Sequence, residues 1–217
     1  MKILNLYAGI GGNRKMWTPN GDEHEVTAIE IVPEIAKIYQ DFFPNDKVIV
    51  ADAHQYLLEH FKEFDFIWSS PPCPTHSVTN HFLHSQNCIR YPDMGLWQEI
   101  VFLHKWFKGK WIVENVKSYY PPLWPPQTLD RHYFWANFKM SNFKVVRKFN
   151  ICKARASTRK NQEDDVKELE DFHKIKLPKD IDRSINQRLI LRNCIYPPLA
   201  LHILNESKKE LYQELFK

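Results

Sequence analysis

Five short, almost wholly apolar runs are spaced through the first two-thirds of the chain, with longer amphipathic stretches between them. They are Lys2–Ala8, Glu25–Ile29, Lys47–Ala51, Phe64–Ser69 and Lys110–Glu114. A strand covered on both faces has no polar side to show, so near-continuous apolar character points to a parallel sheet flanked by helices. The amphipathic stretches supply those helices, near Gly12–Trp17, Pro33–Phe43, Ala53–Phe61 and Gly95–Phe107. Pro33 sits where a first helical turn tolerates a missing N–H, and Phe43-Pro44 closes the same helix. The pattern predicts an α/β fold with a mainly parallel sheet. In such sheets ligands bind at the carboxyl ends of the strands.

Two stretches break the rhythm. Ser70 to Asp93 is rich in Pro, His, Ser and Asn, with little periodicity. It predicts a long loop, and loops of that length in compact domains are commonly functional. From Lys139 to Lys160 there are eight basic residues and no acidic ones, followed by Glu163-Asp164-Asp165. Residues 139–186 do not continue the β-α pattern and read as a small insertion between a core of 1–138 and a closing segment of 187–217. That last segment carries an amphipathic helix, about Pro198 to Leu215, with Leu199, Leu201, Ile203, Leu204, Leu211 and Leu215 supplying much of an apolar face, although Leu199–Leu204 alone also reads as a short strand.

Composition narrows the class. A chain of 217 residues, 43% hydrophobic and 26% charged, can bury a sizeable core. Its formal net charge of +4 permits a nucleic-acid partner without requiring one. Cys73, Cys88, Cys152 and Cys194 form no Cys-x-x-Cys pair, which argues against a zinc site or a disulfide framework and for reduced intracellular thiols. No apolar run approaches the roughly 20 residues of a membrane span, and the first residues run straight into a strand instead of a secretory leader. The expectation is a soluble, cytoplasmic protein without metal or membrane partner.

Chemistry gathers at the predicted strand ends. Asn5-Leu6-Tyr7-Ala8-Gly9-Ile10-Gly11-Gly12 ends the first strand in Gly-x-Gly-Gly, which lets a ligand approach the backbone closely. Glu30 ends the second strand, where an acid can hold ribose hydroxyls, and Asp52 ends the third, where one can accept from an adenine amino group. Either acid alone reads more simply as a helix cap or a solvated residue. Their recurrence on successive strand ends favours a ligand. After the fourth strand comes Ser70-Pro71-Pro72-Cys73-Pro74-Thr75-His76-Ser77. A cysteine between prolines at the mouth of a sheet packs no core. A thiol there acts as a nucleophile if a base or cation lowers its pKa, and His76, His81, His84 and Arg90 share the loop. The fifth strand ends in Glu114-Asn115-Val116, where a carboxyl with apolar neighbours can hold a proton to donate.

Taken together, these segments resemble the DNA cytosine-5 methyltransferases in type, order and spacing. Tyr7–Gly12 is similar to the family's Phe-Ala-Gly-x-Gly-Gly loop, with Tyr for Phe. Pro71-Pro72-Cys73 is similar to its Pro-Cys motif, and Glu114-Asn115-Val116 to its Glu-Asn-Val motif. Pro126-Gln127 with Arg131 resembles Pro-Gln-x-Arg-x-Arg, and Arg192-Asn193-Cys194-Ile195-Tyr196-Pro197-Pro198 resembles the Gly-Asn-x-Val-x-Pro segment that opens the last helix. The departures are Pro74 where glutamine usually follows the cysteine, Leu129 for the first arginine of the pair, and Arg192 for glycine.

The resemblance implies a Rossmann-like, S-adenosylmethionine-dependent methyltransferase sheet with a small inserted target-recognition region. It implies a catalytic set of Cys73, Pro72, Glu114 and Arg131. S-adenosylmethionine would lie against Tyr7, Ala8, Gly9, Ile10, Gly11, Gly12, Glu30, Ile31, Asp52, Ala53, Pro71 and Asn193. Double-stranded DNA, its target cytosine flipped out, would meet His76, Ser77, His81, His84 and Arg90 in the loop and Lys144, Arg147, Lys148, Arg155 and Arg159 in the basic stretch. A monomer is expected, with a cognate restriction endonuclease as a candidate partner. Two alternatives stand beside this reading: a cytosine-5 methyltransferase acting on RNA, and a catalytically silent DNA-binding protein of the same fold.

Overall fold

The order of the strands places a crevice between the first and the fourth. In the computed structural model, which describes residues 1–17, 24–147 and 159–209, β1 (Lys2–Leu6), β2 (Glu25–Glu30), β3 (Lys47–Val50), β4 (Phe66–Ser69), β5 (Lys110–Val116), β6 (Gln127–Leu129) and β7 (His132–Ala136) form one sheet ordered β3-β2-β1-β4-β5-β7-β6. The chain runs outward from β1 to β3, then returns to the other side of β1 as β4. Neighbours β1 through β5 are parallel. The reversal between β1 and β4 is the switch point at which open α/β sheets hold their ligands. The loops after those two strands flank it, with Leu6 opposite Ser69 in register.

Helices α1 (Pro33–Phe42), α2 (Ala53–His60) and α4 (Gly95–Trp106) connect the parallel strands, each within one residue of its sequence-predicted bounds. The expected helix after Gly12 is a single 3-10 turn, Arg14–Met16. It is anchored where the Arg14 guanidinium grips the Asp46 carboxylate at 2.8 and 2.9 Å, and Tyr39 donates to the same carboxylate at 2.8 Å. The long loop after Cys73 holds a short helix, α3 (Asn80–Ser85).

Alternation along the strands builds two cores. Ile3, Phe66, Trp68 and Ile112 face one side, with Trp17, Phe134, Leu199 and Ile203. Leu4, Leu6, Ile67, Trp111 and Val113 face the other, with Leu96, Ile100 and Leu103 of α4. A strand period of two produces this division directly.

The β6–β7 hairpin lies outside the β-α rhythm. β7 runs antiparallel to β5, with Glu114 opposite Phe134 and Val116 opposite His132. Its tight turn is Asp130-Arg131, with Asp130 at φ 55°. Aspartate tolerates the left-handed region that such turns require.

Among the described residues three further helices follow: α5 (Arg159–His173), α6 (Gln187–Arg192) and α7 (Pro197–Lys208). Leu169, Ile175, Ile190, Leu191 and Cys194 bury against Ile10 and Ile38, so the closing segment packs on the first β-α unit. Gly12 shows how closely: a Cβ there would lie 2.6 Å from the Cβ of Cys194. The terminal helix begins one residue before the expected Pro198 and ends at Lys208; Leu211 and Leu215 lie outside the described residues. Among the described residues no helix is long and apolar enough to cross a membrane.

Candidate active site

The β1 loop turns through three left-handed residues, Tyr7 (φ 55°), Gly9 (54°) and Gly11 (79°). A Cβ on Gly9 would meet nothing within 4 Å, so this backbone opens onto the crevice. Glu30, at the end of β2, braces it: one carboxylate oxygen accepts from the Gly9 N–H at 2.9 Å, the other from the Val32 N–H at 3.0 Å. Ile31 beside it is 61% exposed, a flat apolar surface at the crevice rim. Asp52 is exposed at the end of β3 and caps α2 by accepting from the Gln55 N–H at 2.8 Å, with Ala53 buried behind it. A carboxylate oxygen has more than one lone pair, so these caps leave Glu30 and Asp52 able to accept from a ligand. Open backbone, an apolar rim and two acids fit the adenosine part of a nucleotide-like cofactor. Ala8 and Ile10 are buried under the loop, and Asn193 is exposed at the C-terminal cap of α6.

Across the crevice, β4 delivers the proline-flanked cysteine. Pro71 is buried and its carbonyl accepts from the Asn115 side-chain amide at 2.9 Å, while Pro72 is exposed. Asn115 thus ties the loop to β5, a role its place beside Glu114 did not announce. The Cys73 carbonyl accepts from the His76 and Ser77 N–H groups at 3.0 and 3.1 Å, which closes a tight turn and leaves the thiol half-buried. Burial first, and then the Glu114 charge, push the thiol above its ordinary value; Arg131 and Arg192 pull it down.

Glu114 is only 7% exposed. Burial pushes its carboxyl up to about 7, against a hydrogen bond from Ser70 and the charge of Arg131. The His132 Nε2 lies 3.6 Å from it. Arg131, carried on the β6–β7 turn, donates to the Arg192 carbonyl at 2.7 Å. Cys73, Glu114 and Arg131, read from three separate segments, therefore share one electrostatic neighbourhood at the carboxyl edge of the sheet.

The nucleic-acid candidates divide. His76 requires correction: at 1% exposure, with Nδ1 2.6 Å from the Tyr120 hydroxyl, it pins the cysteine loop and has no surface for a phosphate. Its burial lowers its pKa, so it is a neutral packing group. Arg147 pairs with Asp130 and lies over the Phe172 ring at 5.8 Å. Ser77 accepts from the Thr79 hydroxyl at 2.9 Å. His81 and His84 stand edge-on to Tyr119 at 5.9 and 4.8 Å, and Arg90 and Lys144 are exposed. Lys148, Arg155 and the Arg159 side chain lie outside the described residues.

Sequence reasoning missed Glu99, which is fully buried and joined to Tyr7, Ser69 and His54. The signal was present: Leu96, Ile100 and Leu103 mark the buried face of α4, and Glu99 falls on it.

A family model described as C-5 cytosine-specific DNA methylase matches residues 1–120. The tRNA (cytosine(38)-C(5))-methyltransferase of Spodoptera frugiperda is 31% identical over 85 residues, which cover 38% of this chain and 26% of that protein. The match to that curated relative therefore spans about a quarter of its length. Among solved structures, a Spodoptera frugiperda DNMT2 variant is similar with a TM-score of 0.62 at 14% identity, covering 96% of this chain and 99% of that one. The Entamoeba histolytica methyltransferase EhMeth follows at 0.52 and 11%, covering 95% and 97%. At such identities the structural likeness shows the fold. With the family model spanning more than half of the chain, this protein belongs to the C-5 cytosine-specific DNA methylase family, whose methyl donor is S-adenosylmethionine.

Proposed function

We propose that this chain methylates carbon 5 of cytosine in duplex DNA, with Cys73 as nucleophile. The observation that carries the reading is the pairing of a half-buried thiol with a buried carboxyl held near neutrality, Cys73 and Glu114, beside Arg131. Carbon 5 of cytosine is too weak a nucleophile to take a methyl group unaided. Addition of the Cys73 thiolate to carbon 6 makes it enamine-like, splitting one difficult step into easier ones. Glu114 delivers a proton to ring nitrogen 3 as that bond forms, and Arg131 holds the exocyclic oxygen, so charge that grows during attack meets groups already in place. S-adenosylmethionine supplies the methyl group. Loss of the carbon 5 proton to solvent and cleavage of the carbon–sulfur bond then return Cys73 to its thiolate, and nitrogen 3 gives its proton back to Glu114.

The two groups are coupled in the required sense. An ionised Glu114 raises the thiol, so the thiolate forms most readily when Glu114 holds its proton, which is also the form that can act as acid. A base stacked in a duplex cannot reach the crevice, so the target cytosine must be extruded, at a cost of a few kcal/mol. Lys139 and Lys144 are exposed cations placed for phosphate in the proposed recognition region, residues 139–186.

One observation favours RNA instead: the curated relative is named for transfer RNA. The same experiment separates the two. The protein is incubated with methyl-labelled S-adenosylmethionine and either duplex DNA or folded transfer RNA, and the nucleosides are resolved by mass spectrometry. The proposal expects labelled 5-methyldeoxycytidine from DNA. Label confined to 5-methylcytidine from RNA would move the substrate, and label on any other atom would overturn the reaction.

A further inference from the structure

The loop that opens onto the crevice is held from two sides. From β2, the Ile29 carbonyl accepts from the Ala8 N–H at 2.9 Å and Glu30 accepts from Gly9. From the other face, the Tyr7 hydroxyl donates to Glu99 at 2.6 Å. Glu99 is fully buried on α4, and it also accepts from the Ser69 hydroxyl at 2.5 Å and lies 3.2 Å from the His54 Nδ1. One carboxylate thus gathers the ends of β1 and β4, the start of α2 and the middle of α4, directly beneath the crevice.

Tyr7 needs such a hold. It stands at φ 55°, where a bulky side chain is an outlier unless its surroundings over-determine it. The family loop that Tyr7–Gly12 resembles begins with phenylalanine, which has no hydroxyl to give. Here the partly buried ring packs against the core that includes α4, and burial together with Glu99 keeps its hydroxyl protonated, hence a donor.

We infer that Tyr7 and Glu99 are positioning residues for S-adenosylmethionine: their hydrogen bond fixes the left-handed start of the loop and so sets where the Gly9 backbone meets the cofactor. Without that bond Tyr7 relaxes toward extended backbone, and the loop must be reordered each time cofactor binds. The cost of reordering appears as lost affinity.

The test is calorimetric titration of the full chain with S-adenosylhomocysteine, well below the unfolding temperature of every variant. Tyr7→Phe removes one oxygen. A hydrogen bond to a charged group makes its loss worth roughly tenfold in Kd. Glu99→Gln should weaken binding as well, and the double variant should bind no worse than the weaker single one, because both remove the same link. Phe66→Leu, a core loss at the opposite end of β4, should bind like wild type. The inference rests on the cofactor reading of the loop, and the outcomes separate the two. Wild type that fails to bind S-adenosylhomocysteine overturns both. Wild-type binding with an unchanged Kd in Tyr7→Phe, or an equal loss in Phe66→Leu, overturns the inference alone.

Discussion

The two halves of the sheet's carboxyl edge carry the same kinds of side chain and put them to different use. On the β1–β3 half, Glu30 and Asp52 accept from backbone N–H groups, Gly9 and Val32 for one and Gln55 for the other. On the β4–β7 half, Glu114 is sealed from water and its carboxyl rises to about 7. An acid supplied with backbone donors is suited to hold a ligand as an anion. An acid denied them is suited to move a proton. Neither residue type nor burial distinguishes the halves, since Glu30 is buried as deeply as Glu114; the backbone donors do.

The contrast breaks most visibly at Glu114. Glu114→Gln keeps the shape and removes the titration, and methyl transfer should fall by about 10²–10⁴-fold. Stability offers an independent check. The folded carboxyl lies at about 7 against an ordinary 4.5, so the proton is held more tightly in the folded chain. The stability it contributes is fully present below about pH 4.5 and lost as pH rises through about 7, on the order of 3 kcal/mol. Denaturant melts from pH 5 to 8 should show this decline in wild type and a flatter profile in Glu114→Gln. Parallel profiles would show that Glu114 is not a buried neutral acid.

On the cofactor half, the same replacement logic predicts binding effects without large chemical ones. Asp52→Ala should weaken S-adenosylhomocysteine about tenfold while the saturated rate changes little, because adenosine is remote from the reacting methyl. Glu30→Ala should cost more, since it also frees the Gly9 N–H. Equal affinity in both variants and wild type would erase the distinction between the halves. The smallest effect belongs to the surface. Lys144→Ala should reduce binding to duplex DNA a few-fold and flatten the log–log salt dependence by roughly 0.9. An unchanged slope would take Lys144 off the phosphate path.

The parallel core was legible because buried strands write themselves as short apolar runs, and Cys73 because nothing about its prolines suits a core. The β6–β7 hairpin was hidden. Its turn is Asp130-Arg131, without the glycine that marks most two-residue turns, and its strands are three and five residues long. Arg131 was legible only through resemblance, since its place beside Glu114 depends on that hairpin pairing antiparallel with β5. The fate of His76 was hidden for another reason. A histidine in a polar loop reads as surface, and only the packing of Tyr119 and Tyr120 beneath the loop shows where it goes. Glu99 sat in plain view on an apolar helix face, where a lone acid asks for partners that only the fold can name.

The central claim is a bond between Cys73 and carbon 6 of cytosine. Nucleic acid carrying 5-fluorocytosine tests it directly, because fluorine cannot leave as a proton does and the adduct persists. Incubation with S-adenosylmethionine, followed by denaturing electrophoresis and peptide mass spectrometry, should give a stable conjugate mapped to Cys73 and none from Cys73→Ala. No conjugate on either DNA or RNA, or a conjugate that survives Cys73→Ala, would contradict the account.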